Sequence, residues 1–172
     1  MAKLPTVLVD INCFFGDESY AGTANTMTLP KIATKTIDMV MAGVAGDMAR
    51  DVGRLEKLEC EVTISDYASR VIDLVGSRES REEVFIARGA VDVDGTVKTV
   101  IIRQQGFWRD VEFNEWAPEK ESTNKFAIDV EMFEFELDGK EIIHIDKLAN
   151  MTPDEAVRSL VYYDDISNRH LL

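Results

Sequence analysis

Phe133-Glu134-Phe135-Glu136-Leu137-Asp138-Gly139-Lys140-Glu141-Ile142-Ile143-His144-Ile145 decides the fold class of this chain. Apolar and acidic residues alternate up to Asp138-Gly139, and an apolar run resumes beyond it. Asp-Gly accepts the positive φ that both central residues of a type I′ turn require, so the stretch predicts a tight antiparallel hairpin. Upstream, from Ala127, the side chains of Ile128, Val130 and Met132 share one face, and the apolar parity then switches to Phe133, Phe135 and Leu137. A β-bulge near Met132 reconciles the two halves; the alternative is a strand buried on both faces in its second half.

The same grammar recurs along the chain. Asp94-Gly95 separates Val84–Arg88 from Val97–Ile102, a second type I′ hairpin, and Gly16-Asp17 separates Cys13–Phe15 from Ser19–Ala21, where a leading glycine suits type II′. Leu58-Glu59-Cys60-Glu61-Val62-Thr63-Ile64 alternates strictly, so one face packs on a core and the other meets water. The expected fold is mainly β: an antiparallel β-sandwich or barrel in one domain over residues 1–172. Two helices interrupt it. One spans about 66–75, with Ser65 as N-cap and Gly76 at C′. A short C-terminal helix spans about 153–161, opened by Thr152-Pro153-Asp154-Glu155.

Two stretches read as neither strand nor helix. Residues 41–53 are rich in glycine, alanine and methionine, and either dock on a partner or fold back on their own domain. In Arg109–Thr123, Trp116 either anchors an interface or tucks against its own core.

Charge narrows the function. The 172 residues carry 19 Lys+Arg against 32 Asp+Glu, a formal net charge of −13, which argues against gripping a phosphate backbone. The acids concentrate between Arg109 and Glu141, where eleven stand against four basic residues. Met1–Asp10 has one basic residue and a short apolar run, so no secretory signal is expected, and no apolar stretch approaches the ~20 residues of a membrane-spanning helix. Cys13 and Cys60 read as small buried hydrophobes, with a disulfide as the alternative.

Catalytic and metal signatures are weak. His144 and His170 have no HxH, HExxH or Cys/His ligand spacing, so each reads as a structural or surface histidine and no metal is expected. No G-x-S-x-G elbow is present, and Gly43-Val44-Ala45-Gly46 lacks the Lys-Ser/Thr of a phosphate loop. Paired carboxylates such as Glu59/Glu61 and Asp129/Glu131 read first as a solvated acidic face. No enzyme and no cofactor are expected.

Several segments together resemble one family. Asn12-Cys13-Phe14-Phe15-Gly16-Asp17-Glu18-Ser19-Tyr20-Ala21-Gly22, Leu29-Pro30-Lys31 with Thr34-Lys35-Thr36, and the 41–53 loop resemble the N-terminal half of the major tail tube protein of contractile-tailed phages and R-type pyocins. Gly106 followed by Trp116, and Phe133 through Asp146, are similar to that family's closing hairpin. The likeness covers about residues 12–150. It departs at the first turn, where the family tends to have Asp-Gly and this chain has Gly16-Asp17, and in residues 147–172, a C-terminal extension that matches poorly.

The resemblance implies a barrel-like domain with a packed helix, six copies to a ring, and rings stacked into a hollow tube through which DNA is ejected without specific binding. It implies that neighbouring subunits' strands join into one ring-wide inner barrel. Met41, Ala42, Gly43, Val44, Ala45, Gly46, Asp47 and Met48 then contact the adjacent ring, and Glu59, Glu61, Asp129 and Glu131 face the lumen, although alternation alone allows them to face a sheath instead. The implied partners are the protein itself, the tail sheath, tape-measure, baseplate and tail terminator proteins, with no membrane; the implied location is the virion tail, assembled in the host cytoplasm. The tube of a phage-like bacteriocin or secretion machine is the alternative, followed by a soluble acidic β-sandwich binding module.

Overall fold

A computed structural model describes residues 3–147. Strands β1 (Val7–Phe15), β2 (Glu18–Ser19), β3 (Ala24–Thr28), β4 (Thr34–Met39), β5 (Met48–Leu55) and β6 (Leu58–Ile64) lead into helix α1 (Ser69–Leu74) and a 3₁₀ turn (Arg78–Arg81). Strands β7 (Phe85–Val93), β8 (Thr96–Phe113), β9 (Asn124–Leu137) and β10 (Lys140–Asp146) follow. Among the described residues, eight strands form one antiparallel sheet in the order β2-β1-β7-β8-β9-β6-β3, with β10 also on β9, while β4 and β5 pair only with each other. β8 runs along one flank of β9, so β6 and β10 share the other: β6 takes Asn124–Val130 and β10 takes Met132–Leu137. The sheet curls into a half-barrel around the core, and the expected mainly β fold stands.

The turn chemistry is as the sequence dictates. Asp94 and Gly95 have φ of 55° and 84°, and Asp138 and Gly139 have 52° and 79°, the double positive φ of type I′. At the first hairpin Phe15 pairs with Glu18, and of the two loop residues Gly16 alone has positive φ.

The parity switch in β9 is a bulge. Register with β8 jumps from Gln105↔Met132 to Gly106↔Val130, which leaves Glu131 as the extra residue. Ile128, Val130 and Phe133 are thereby all buried on the core side. Gly106 is required there: a Cβ would overlap the Asp129 carbonyl oxygen and come within 2.9 Å of Val130 Cα.

Trp108 is the centre of the core. Its ring meets Phe15, Phe85 and Phe126 edge-on, with centroids 5.2, 5.6 and 5.7 Å away. β7 pairs with β8 only as far as Phe85↔Gln104, so the backbone of Trp108 needs other partners. The Trp108 N–H donates to Ser80 Oγ (3.3 Å), and its carbonyl accepts from the Gly76 N–H (2.9 Å). The α1–3₁₀ segment thus closes the flank of β8 that β7 leaves open.

Three expectations need adjustment. Helix α1 covers 69–74 rather than 66–75, and Ser65 is not its cap. The Ser65 hydroxyl accepts from the Asn25 amide and its N–H donates to Thr23, which ties it to the end of β3, so the helix starts at an uncapped Ala68. Gly76, with φ 79°, does sit at the C′ position. Residues 41–53 are not all irregular, since β5 begins at Met48 and pairs with β4. The predicted helix 153–161 lies outside the described residues.

Candidate functional site

β6 places Leu58, Cys60, Val62 and Ile64 in the core and turns Glu59 and Glu61 outward. Cross-strand register then sets Glu59 opposite Asp129, an arrangement that two bare carboxylates would resist. Two cations resolve it. Lys57 Nζ lies 2.7 Å from Glu59 and 3.1 Å from Asp129; Arg109 Nη1 lies 2.9 Å from Glu59 and 3.0 Å from Asp129. Glu61 pairs with Lys125 (3.0 Å), and Glu131 with Arg81 (3.1 Å). The four predicted acids therefore share the sheet face opposite the core, and each is partnered.

The electrostatics follow from these contacts. Hydrogen bonds from Lys57 and then Arg109 hold the Glu59 carboxyl below the usual carboxylate range. Glu59 and Asp129 raise the Lys57 ammonium, Glu61 raises Lys125, and Asp110 and Glu59 push the Arg109 guanidinium higher still. The acids stand out in the sequence as a pattern, whereas the cations that pair with them do not. Lys57 was legible, since it shares the parity of Glu59 and Glu61. Arg109 was not, because it is the extra residue at a second bulge in β8, between Trp108 and Asp110.

Further along the same face, Arg103 reaches Glu136 (3.0 Å) and Glu134 (3.7 Å), and His144 Nδ1 lies 3.1 Å from Glu134 and 3.8 Å from Glu141. Glu134, Glu141 and His144 offer ligand atoms within 4.8 Å of one another. The Arg103 guanidinium already balances Glu134 and Glu136, so the group reads as a continuation of the ion-pair lattice. Cys13 and Cys60 are buried free thiols, not a disulfide; Gln104 Nε2 donates to Cys60 Sγ at 3.2 Å.

Three further surfaces are conspicuous for lacking cover. The β4–β5 hairpin does not fold back: every residue from Val40 to Arg54 is exposed, including Val40, Met41, Val44, Met48 and Val52. A two-stranded hairpin without a packed face is marginal in isolation. The edges of the large sheet are the second surface. β2 covers only Phe14 and Phe15 of β1, so residues 7–12 carry no further strand on that flank among the described residues, and Val7, Leu8 and Val9 are more than half exposed. Among the described residues β10 and β3 are the outermost strands on the opposite side. Such an apolar open edge is a template for another chain. The third is Trp116, 81% exposed above a shallow hollow of about 280 Å³ lined by Tyr67, Glu115, Pro118, Lys120 and Ser122. That exposure removes the reading in which Trp116 packs on its own core. Among the described residues no helix is long and apolar enough to cross a membrane.

An open-edged half-barrel with a salt-bridged face and a projecting apolar hairpin defines a structural subunit. The model of the family described as phage tail tube protein FII matches residues 5–153, and the chain belongs to that family. It is thus a tail tube protein, a structural component of the virion tail. The tail tube protein of Escherichia phage P2 is 26% identical over 149 residues, covering 84% of this chain and 87% of that protein. Two solved structures share the fold, both from an extracellular contractile injection system (PVC) in its extended state. Its sheath–tube complex aligns with TM-score 0.53 and 11% identity over 73% of this chain and 87% of that one. Its sheath/tube terminator aligns with TM-score 0.56 and 11% identity over 79% and 99%.

Proposed function

We propose that six copies of this chain form a ring, and that stacked rings make the inner tube of a contractile tail through which DNA is ejected. The observation that carries this reading is the open sheet: among the described residues β1 and β10 present strand edges at opposite sides of one curled sheet, and an apolar edge left unpaired, as at Val7–Val9 of β1, is a liability in a monomer. Strand addition from copy to copy turns those edges into joints and converts half-barrels into one ring-wide barrel. The 41–48 segment then reaches the next ring, and the sheath, the tape-measure protein, the baseplate and the terminator are the tube's partners in assembly.

The face opposite the core is the lumen wall in this reading, with Glu59, Glu61, Asp129 and Glu131 on it. DNA sticks where Lys and Arg can replace its counterions. Lys57, Arg81, Arg109 and Lys125 are each held by carboxylates already, so a passing phosphate finds no uncommitted cation among these four. In this reading the wall lets DNA pass because its cations are already satisfied by its carboxylates, more than through bare acidity. The tube of a phage-like bacteriocin or secretion machine uses the same joints without the DNA.

End-on class averages of the purified chain by negative-stain microscopy test the assembly. Six-fold rings with a hollow centre are expected; particles that remain single subunits at high protein concentration would overturn the reading.

A further inference from the structure

The hairpin and the Trp116 loop lie at opposite ends of the same strands. β5 ends at Leu55, three residues before β6 begins at Leu58, so the hairpin leaves the sheet at the start of β6. At the other end of β6, Ile64 pairs with Asn124, and Asn124 pairs in turn with Phe113; residues 114–123 close that end. Seven residues of strand separate the two features, about 20 Å at ~3.3 Å per residue.

The two surfaces are also complementary. Register in the hairpin pairs Met39 with Met48 and Ile37 with Arg50, so Lys35, Ile37, Met39, Met48 and Arg50 share one face, apolar and basic. Thr36, Asp38, Ala49 and Asp51 form the other. The 114–123 loop is aromatic and acidic: Trp116 and Pro118 with Tyr67 beside them, and three glutamates (Glu115, Glu119, Glu121) against one lysine (Lys120). Methionine side chains adapt to irregular pockets and favour aromatic ring edges.

We infer that the Trp116 loop is the receptor for the β4–β5 hairpin of a second copy of this chain in the next ring. The contact is head-to-tail: the hairpin of one copy engages the opposite end of the next, so no pair closes on itself and the stack extends without limit. Trp116 inserts among Met39, Met48 and the 40–44 turn, while Lys35 and Arg50 face the glutamates. The inference rests on the tube reading and adds to it the surface that receives each ring.

A chain carrying Val44→Cys and Ala117→Cys tests this. Within one chain the two positions are too far apart for a disulfide, whose Cα atoms stand within about 7 Å. Cys13 and Cys60 are buried and do not compete. Oxidised tubes are expected to give a ladder of covalent multimers on a non-reducing gel, each single variant giving none, and Trp116→Ala is expected to give rings that no longer stack. Tubes of normal length without a ladder would overturn the inference and leave the tube reading standing. A ladder's first rung from Val44→Cys alone would mean hairpin-to-hairpin contact and overturn it too. Normal Trp116→Ala tubes that no longer accept a sheath would reassign the loop to that partner. A parent chain that makes no tubes at all would remove the tube reading itself, and this inference with it.

Discussion

Glu59 and Asp129 stand directly opposite each other across β6 and β9, with Lys57 and Arg109 each within 3.1 Å of both. The pairing fixes what the face can do, because each carboxylate masks a cation. Replacing Glu59→Gln together with Glu61→Gln should leave the shape and nearly all the stability of the subunit, since exposed ion pairs contribute little. It should uncover Lys125 and leave Lys57 and Arg109 sharing Asp129, with Asp110 also on Arg109, so that three cations face two carboxylates and the face turns net positive toward phosphate. Assembled tubes of the double variant are expected to retain DNA at low salt and release it as salt rises, where the parent retains none; equal retention by both would refute the masking. Acidification acts with the same sign. The Glu59 pKa is depressed, so its contribution is present above the ordinary carboxylate range and is lost only as the pH falls below it.

The two tryptophans should behave oppositely. Trp108 is 1% exposed and touches three aromatic rings, so Trp108→Ala is expected to cost about 3–5 kcal/mol in urea unfolding. Trp116 is 81% exposed, and Trp116→Ala should change the stability of the isolated subunit by less than about 0.5 kcal/mol. Similar losses in both variants would contradict the placement of the aromatic core.

Gly106→Ala is the sharpest test of the β9 bulge. The added methyl would collide with the backbone of Asp129 and Val130 rather than with a movable side chain, so about 3 kcal/mol or more should be lost. A variant as stable as the parent would mean that Gly106 does not face the bulge.

Buried thiols predict a loss of stability at alkaline pH. Burial pushes Cys60 up to about 11 and Cys13 up to about 12, the latter with a further contribution from the neighbouring Cys60. An unfolded thiol titrates near ~8.5, so above that the unfolded chain has released protons that the folded chain still holds, and stability falls as the pH rises through this window. The slope approaches about 1.4 kcal/mol per pH unit for each thiol. Melting temperatures measured from pH 8 to 11 should fall more steeply for the parent than for a Cys13→Ala, Cys60→Ala chain, which starts lower and runs flatter; parallel curves would contradict it.

Much of the fold is local and was therefore legible. The Asp-Gly turns carry their φ requirement in two residues, the alternation of β6 carries its own burial, and the parity switch at Met132 announces a bulge one residue away, at Glu131. What escaped depends on long-range pairing. Trp108 continues the buried alternation of Val100 and Ile102, but Gln104 and Gly106 hold the inward positions between them and Phe107 an outward one, so the pattern does not show in residue types. Ser65 looked like a cap because nothing in its neighbours shows Asn25 arriving from forty residues away. The hairpin of residues 34–55 was hidden by its glycines and alanines, which carry little strand signal. In the candidate site the acids were visible as a pattern, whereas Arg109 and Arg81 reach them only through a bulge and a 3₁₀ turn.

A helical reconstruction of the assembled tube by electron cryo-microscopy tests the central claim most directly. The account predicts stacked six-fold rings in which β1 and β10 edges join neighbouring copies and Glu59, Glu61, Asp129 and Glu131 line the channel. A tube whose channel is lined by the other side of the sheet, with these four carboxylates on its outer surface, would contradict it.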